Sequence, residues 1–171
     1  TPKDPALEHI DALAGKQFQA FPGQDHRSHI TAHLNFMATN IARNNPMVMA
    51  SLEKNIFEHI SLMSQEQVEL EYRNEMQQLQ QMQMQAQQNP QMAQQIQMQA
   101  MQITQKIEAR KAQLIAEMME EFMNEEKKIT SQFDNDPIAK LRARELDLQA
   151  QENQRKKDEG EERINLDKMR A

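Results

Sequence analysis

Three prolines, Pro46, Pro90 and Pro137, divide most of this sequence into long stretches whose apolar residues recur at helical spacing. Each proline follows Asn or Asp, a pair that can end one helix and start the next, because the first helical turn does not need the N–H that proline lacks. The 171 residues include only 3 Gly, 1 Tyr and no Trp. Residues that favour helix dominate from Pro46 onward. The sequence therefore predicts an all-α fold and argues against a β-rich one.

The first 45 residues predict two short helices. The first covers about residues 4 to 14, and its apolar positions are Ala6, Leu7, Ile10 and Leu13. The segment from Phe18 to Gly23 breaks the pattern, since Pro22 disfavours helix at the preceding residue. Asp25 is placed to cap the second helix, which is expected to end at residues 44 to 46. Its apolar stripe consists of Ile30, Leu34, Met37 and Ile41.

Two long helices of similar length, 46–88 and 91–133, are predicted on either side of Asn89 and Pro90, with Asn89 as a cap and Pro90 at the first helical position. Each would be about 65 Å long. The first stripe comprises Met49, Leu52, Ile56, Ile60, Met63, Leu70, Met76 and Leu79. The second comprises Met92, Ile96, Ala100, Ile103, Ile107, Leu114, Met118, Phe122, Ile129 and Phe133. An antiparallel hairpin is favoured, because equal arms can cover each other's stripes. A kinked continuous helix packed on neighbouring copies is the alternative.

The last segment, 134–171, is charged, with nine Lys or Arg and ten Asp or Glu. Asp134 to Asp136 and then Pro137 predict another helix start. The apolar residues form only a thin seam: Ile138, Leu141, Leu148, Ile164 and Leu166. Gly160 is expected to interrupt the run, which indicates a solvated or oligomerising helix with a fraying tail. The predicted division of the chain is therefore 1–45, 46–133 and 134–171.

Catalytic constellations are missing from the sequence. It has no Cys, no glycine-rich phosphate loop and no Gly-x-Ser-x-Gly motif. The formal net charge of -6 gives no overall attraction to a polyanion, and acids interleave with the basic residues near the C-terminus. We expect no enzyme activity, no catalytic residue, no cofactor and no membrane partner.

Three histidines, His26, His29 and His33, follow one another at steps of three and four, so their imidazoles project from one helical face. They are candidate ligands for zinc, copper or nickel. The favoured interpretation is a polar face with hydrogen-bonded or solvated histidines and no metal, because three ligands on one helix rarely complete a tetrahedral site.

Residues 76–105 form an uncharged tract of fifteen Gln and six Met among thirty residues. Because both residue types favour helix and the apolar positions keep helical spacing, a helical tip is predicted rather than a disordered tract. Without charge, identical neighbours would not repel each other.

Two strings resemble tailed-bacteriophage portal proteins, the head-to-tail connectors. One is Ala20 to His26, continued by His29, Ile30, His33 and Leu34. The other is Asn135 to Leu141, continued by Glu145 to Ala150. The order of the strings and the long helices between them match the C-terminal region of that family. Because the sequence opens on Thr1 inside a helical pattern, we expect it to be a piece of a longer chain.

The resemblance implies a homo-oligomeric ring, usually a dodecamer, whose C-terminal helices form a crown or barrel around the DNA channel. It implies a virion component at the portal vertex of the capsid, present in the host cytoplasm during assembly, which serves genome packaging and ejection. The implied partners are the major capsid protein, the terminase, a tail adaptor and viral double-stranded DNA that passes without sequence-specific binding. The alternative function is a coiled-coil scaffold or adaptor, although polar stripe positions such as Gln67 and Lys111 argue against strict heptads.

Overall fold

The computed structural model describes residues 1–135 and 137–170, and the regular structure within these residues is helical throughout. Its helices are α1 (Pro5–Leu13), α2 (His26–Met37), α3 (Asn40–Arg43), α4 (Pro46–Glu71), α5 (Arg73–Gln88), α6 (Ala93–Asn135) and α7 (Pro137–Arg170). The all-α prediction is confirmed. Among the described residues, no helix combines the length and the apolar character needed to cross a membrane.

Several helix starts lie where the sequence places them. Asp25 caps α2 by accepting a hydrogen bond from the Ser28 N–H, with 3.2 Å between the two atoms. Asn45 accepts from the Val48 N–H at 3.2 Å, and Pro46 is the first residue of α4. Pro137 is likewise the first residue of α7. Asp136, which was expected to belong to the cap before Pro137, lies outside the described residues.

Other predicted boundaries are wrong. The helix that starts after Asp25 ends at Met37, since the Thr39 side chain caps a separate helix by accepting from the Ala42 N–H. The helix expected over 46–88 is divided at Tyr72, whose φ of -113° and ψ of 26° are not helical. The bond from the Met76 N–H to the Tyr72 carbonyl, 2.9 Å long, nevertheless persists, so the break is a local kink.

The predicted role of Asn89 and Pro90 is also wrong. Asn89 ends α5, and its N–H donates to the Gln85 carbonyl at 2.9 Å. Pro90 lies in a turn that precedes α6, which begins at Ala93. Gly160 does not interrupt α7, which continues to Arg170. Glycine weakens a helix by only about 1 kcal/mol and does not by itself end one.

Helix α1 has the predicted length, but its buried face is the opposite of the expected one. Leu7, Ile10 and Leu13 are exposed, whereas Glu8 and Asp11 are buried together with Ala12. Asp11 pairs with Lys3 at 2.5 Å, and Glu8 bonds to a histidine of α2. These polar pairs, rather than the apolar stripe, orient α1.

The core between α2 and α4 uses most of the predicted positions. Ile30, Leu34 and Met37 are buried, but Ile41 belongs to α3 and is exposed. On α4, Leu52 and Ile60 are buried, whereas Leu70 is 64% exposed. The buried face instead continues at four-residue steps from Ile60 through Ser64 to Val68. Polar Ser64 conceals this phase in the sequence.

Side chains of α4 also contact α6. The Ser64 hydroxyl lies 3.4 Å from the Met118 sulfur. Val68 packs with Ile107 and Leu114 in one apolar cluster. Arg110 forms two hydrogen bonds to the Glu71 carboxylate, at 2.9 and 3.0 Å. The buried face of α6 includes five of the predicted residues: Ile96, Ile107, Leu114, Met118 and Phe122. Met92, which was predicted to share this stripe, lies before α6 and is exposed.

The chain divides into two compact units, Thr1–Lys127 and Lys128–Ala171. The first contains α1 to α5 and most of α6. The second contains the end of α6 and all of α7. None of the described side chains of α7 is buried.

Candidate functional site: a buried histidine cluster

All five histidines of the sequence lie in one cluster inside the first unit. His9 comes from α1, His59 from α4, and the three predicted histidines from α2. Ring centroids are 5.0 Å apart for His9 and His33, 4.9 Å for His29 and His59, and 5.1 Å for His26 and His59. His9 is half-buried, and the other four are buried. The predicted histidines are therefore hydrogen-bonded, as expected, but they are not solvated.

The first part of the cluster joins α1, α2 and α4 by hydrogen bonds. The Nδ1 atom of His29 is 2.8 Å from the Oε1 atom of Glu8. His33 uses both ring nitrogens, with Nδ1 2.9 Å from Nε2 of His9 and Nε2 2.8 Å from Oδ1 of Asn55. Its Nε2 atom also lies 3.6 Å from Oε1 of Glu8. His33 of α2 thus links this helix to α1 and to α4.

The second part of the cluster is a series of hydrogen bonds, called the relay below, that runs from Glu66 at the surface through His26 to buried His59. The Glu66 carboxylate, which is partly exposed, accepts from the Gly23 N–H at 2.8 Å and lies 3.0 Å from Nε2 of His26. His26 Nδ1 is in turn 2.8 Å from His59 Nδ1. The other ring nitrogen of His59, Nε2, is fully buried and has no hydrogen-bond partner among the described residues.

Burial changes the acid–base properties of the cluster. It lowers the pKa of His33 to about 4 and that of His59 to about 3, because the charged imidazolium is disfavoured away from water. The pKa of His9 is lowered for the same reason. Burial raises the pKa of the Glu8 carboxyl, and the hydrogen bond to His29 opposes that shift. At neutral pH, His33 and His59 are therefore neutral imidazoles.

Burial also affects the pKa of Glu66, but hydrogen bonds determine the direction in which that pKa is shifted. Partial burial would raise the pKa of this carboxyl, and the hydrogen bonds with the Gly23 N–H and with His26 more than offset it. Its pKa therefore lies below the usual value, and the carboxylate at the start of the relay is ionised.

Four side chains of the cluster have the composition and spacing of a metal site. Glu8, His29, His33 and His59 are all buried, and each offers one ligand atom within 4.8 Å of the others. Of the three candidates from the sequence, His29 and His33 belong to this group, whereas His26 does not. An open cleft of about 250 Å³, lined in part by Lys3, Gln17 and Phe18, reaches Glu8.

Glu8 and His59 were missed by sequence reasoning, although a signal for one of them existed. Asn55 and His59 follow Leu52 on α4 at steps of three and four residues, so they share its helical face, and all three are buried. Polar residues in phase with an apolar stripe indicate a buried polar network. No such pattern indicates Glu8, because the predicted apolar stripe of α1 leaves Glu8 off the face that was expected to be buried.

No protein-family model, no curated protein and no solved structure matches this chain.

Proposed function

We propose that the chain is a structural, ring-forming segment of portal type rather than a catalyst. The first of the two strings that carry the resemblance, Ala20 to His26 with its continuation to Leu34, contributes five buried residues to the interior of the first unit. Within it, Asp25 caps α2, and His26, His29 and His33 bond to α1 and α4. This string therefore performs an architectural role that a structural protein requires.

The exposed apolar residues of α7 carry the proposal. Leu141, Leu148 and Leu166 lie on one side of α7 and form its apolar row, and they are 62%, 58% and 52% exposed. They belong to a helix of 34 residues, about 51 Å long, none of whose described side chains is buried. A helix of this length gains most of its stability from packing of an apolar face. We assign a second copy of this chain as the packing partner of α7.

The proposed architecture of each copy is an elongated hairpin of α4–α5 against α6. Its support is the pairing order, in which Ser64 contacts Met118 and Glu71 contacts Arg110, so that the residue number rises on one arm as it falls on the other. The uncharged Met/Gln tract then lies around the turn between α5 and α6. Met84 and Met98, each 62% exposed, give this region an adaptable apolar surface for neighbouring copies.

The partners follow from the portal proposal. The ring, a dodecamer in the usual family pattern, would stand at the capsid vertex of the virion, after assembly in the host cytoplasm. It would contact the major capsid protein, the terminase and the tail adaptor. Viral double-stranded DNA would pass through its channel, and the net charge of -6 would offer the phosphates no strong foothold.

A coiled-coil scaffold or adaptor is the second candidate, since the same apolar row of α7 would serve a two- or three-stranded assembly. The two candidates differ in the particle they form. Electron microscopy of the intact protein is expected to show closed rings with a central channel. Dimers or trimers of extended rods would contradict the portal proposal and support the scaffold.

A pair of substitutions tests the role of α7 in the same assay. Leu148→Glu places a charge in the apolar row and is expected to shift closed rings to smaller species, because a buried unpaired charge is costly. Ala150→Glu adds the same charge at an exposed position on the opposite side of α7 and is expected to leave the rings intact. Equal particle distributions for both variants would exclude the α7 row as the contact.

A further inference from the structure

We propose that Glu8, His29, His33 and His59 bind one divalent transition-metal ion of the zinc class, which fastens α1 and α4 to α2. Three imidazoles and one carboxylate are a donor set that suits zinc, whereas magnesium and calcium require oxygen ligands. Three different helices supply the four groups. Four buried protein ligands make a closed site, which is typical of structural rather than catalytic zinc.

The spacing of the ligands fits a tetrahedral ion. With metal–ligand bonds of about 2.0–2.1 Å, neighbouring ligand atoms lie about 3.3 Å apart. Oε1 of Glu8 is 2.8 Å from Nδ1 of His29 and 3.6 Å from Nε2 of His33, so these distances bracket the required value. All four ligand atoms lie within 4.8 Å of one another, so side-chain shifts of about 1 Å are enough to bring the more distant pairs to the tetrahedral spacing.

The relay through His26 prepares His59 for ligation. The Glu66 carboxylate accepts from Nε2–H of His26, and in this tautomer Nδ1 of His26 is an acceptor. Nδ1–H of His59 then donates to that atom. The lone pair of His59 is thereby placed on Nε2, the buried nitrogen without a described partner. Carboxylate–histidine hydrogen bonds of this kind orient metal ligands and set their tautomer.

His33 and His29 change partners when they bind the ion. In the metal-free network Nε2–H of His33 donates to Oδ1 of Asn55, and Nδ1 of His33 accepts from Nε2–H of His9. Binding of the ion requires the other tautomer of both rings, in which Nδ1–H of His33 donates to Nε2 of His9. Nε2 of His33 is then free for the metal, at the cost of its hydrogen bond to Asn55. The hydrogen bond between His29 and Glu8 is replaced by two bonds to the same ion, and the His29 proton then lies on the other ring nitrogen. The rival arrangement is a metal-free network that keeps both hydrogen bonds.

Titration of the chelator-treated protein with zinc chloride tests the proposal. Calorimetry is expected to give one zinc ion per chain, and cobalt(II) in place of zinc is expected to give the intense visible absorption of four-coordinate cobalt. A folded chain that takes up neither ion would overturn the proposal and leave the hydrogen-bonded network as the role of the cluster.

Matched variants locate the ion. Glu8→Gln and His59→Gln keep the size and polarity of the side chain but remove a ligand, and each is expected to weaken zinc binding about tenfold or more. Glu53→Gln changes an exposed carboxylate on α4 and is expected to bind like the wild type. Ligand variants that bind zinc as tightly as the wild type would refute the assignment.

X-ray absorption on the zinc-loaded wild type provides a test that does not depend on the folding of any variant. The expected spectrum shows four nitrogen or oxygen neighbours at about 2.0–2.1 Å, with the outer scattering of imidazole rings. A shell of six oxygen atoms without imidazole scattering would instead indicate a surface-bound ion and contradict the proposal.

Discussion

Buried polar side chains hold α1, α2 and α4 together. Glu8, His33 and His59 are almost fully buried, and their hydrogen bonds cross between helices rather than staying within one. Leaving such a group without a partner costs about 1–3 kcal/mol, so the network strongly specifies which helices meet. It also links the stability of the first unit to the protonation state of its histidines.

Acid is expected to destabilise the metal-free protein. The pKa values of His33 and His59 are about 4 and about 3 in the folded chain, whereas unfolded histidine titrates near pH 6.5. Below about pH 6.5 the unfolded chain therefore binds more protons, and the free energy of unfolding falls as pH decreases toward the folded pKa values. At pH 5 the loss is about 2 kcal/mol for each of the two imidazoles.

Urea unfolding at pH 7 and pH 5, with a chelator present, measures this effect. The raised pKa of Glu8 acts in the opposite direction, since the folded chain then retains a proton that the unfolded chain loses above about pH 4.5. Because two buried imidazoles lower the stability at pH 5 and one carboxyl raises it, the free energy of unfolding should still be lower at pH 5 than at pH 7. Equal or greater stability at pH 5 would show that the histidines are not buried as neutral groups.

Helix α7 shows how an element can be specified locally without being packed. Pro137 begins the helix, and its residues favour helix for 34 positions. Gly160 has the lowest helix propensity of the residues after Pro137, and a Cβ added there would meet nothing within 4 Å. The helix therefore continues through Gly160, although the glycine makes it less stable at this position.

Substitution of glycines at two positions is expected to give opposite results. Gly160→Ala should slow amide hydrogen exchange along α7, because Ala favours helix over Gly by about 1 kcal/mol. Gly15→Ala should lower the thermal midpoint of the first unit, since Gly15 has a φ of +72° that alanine adopts only with strain. Faster exchange in α7 of the Gly160→Ala variant would mean that this glycine is required by a contact.

The first unit of the chain has its own interior, whereas no described side chain of α7, in the second unit, is buried. The buried residues of α1 to α6 all lie within Thr1–Lys127. Because hydrophobic burial dominates folding free energy, this unit should account for most of the cooperative unfolding of the chain. Self-association should depend on the second unit.

Deletion of residues 128–171 tests that division. The shortened chain is expected to keep its thermal midpoint within about 4 °C, which corresponds to about 1 kcal/mol for a domain of this size, and to keep its zinc stoichiometry. Its mass by light scattering should be that of a smaller assembly than the full chain. A shortened chain that is unfolded by circular dichroism would show that the first unit depends on the second.

The sequence by itself determined the all-α class, the starts of α2, α4 and α7 and much of the buried face of α6, because caps, prolines and apolar periodicity act within a few residues. Only the tertiary structure decided the kink at Tyr72, the inverted face of α1 and the meeting of Glu8 and His59 with His29 and His33. Those features depend on contacts between helices. A buried carboxylate on α1 is favourable only when the imidazoles of α2 are within hydrogen-bonding distance, and no local sequence pattern on α1 indicates that these partners exist.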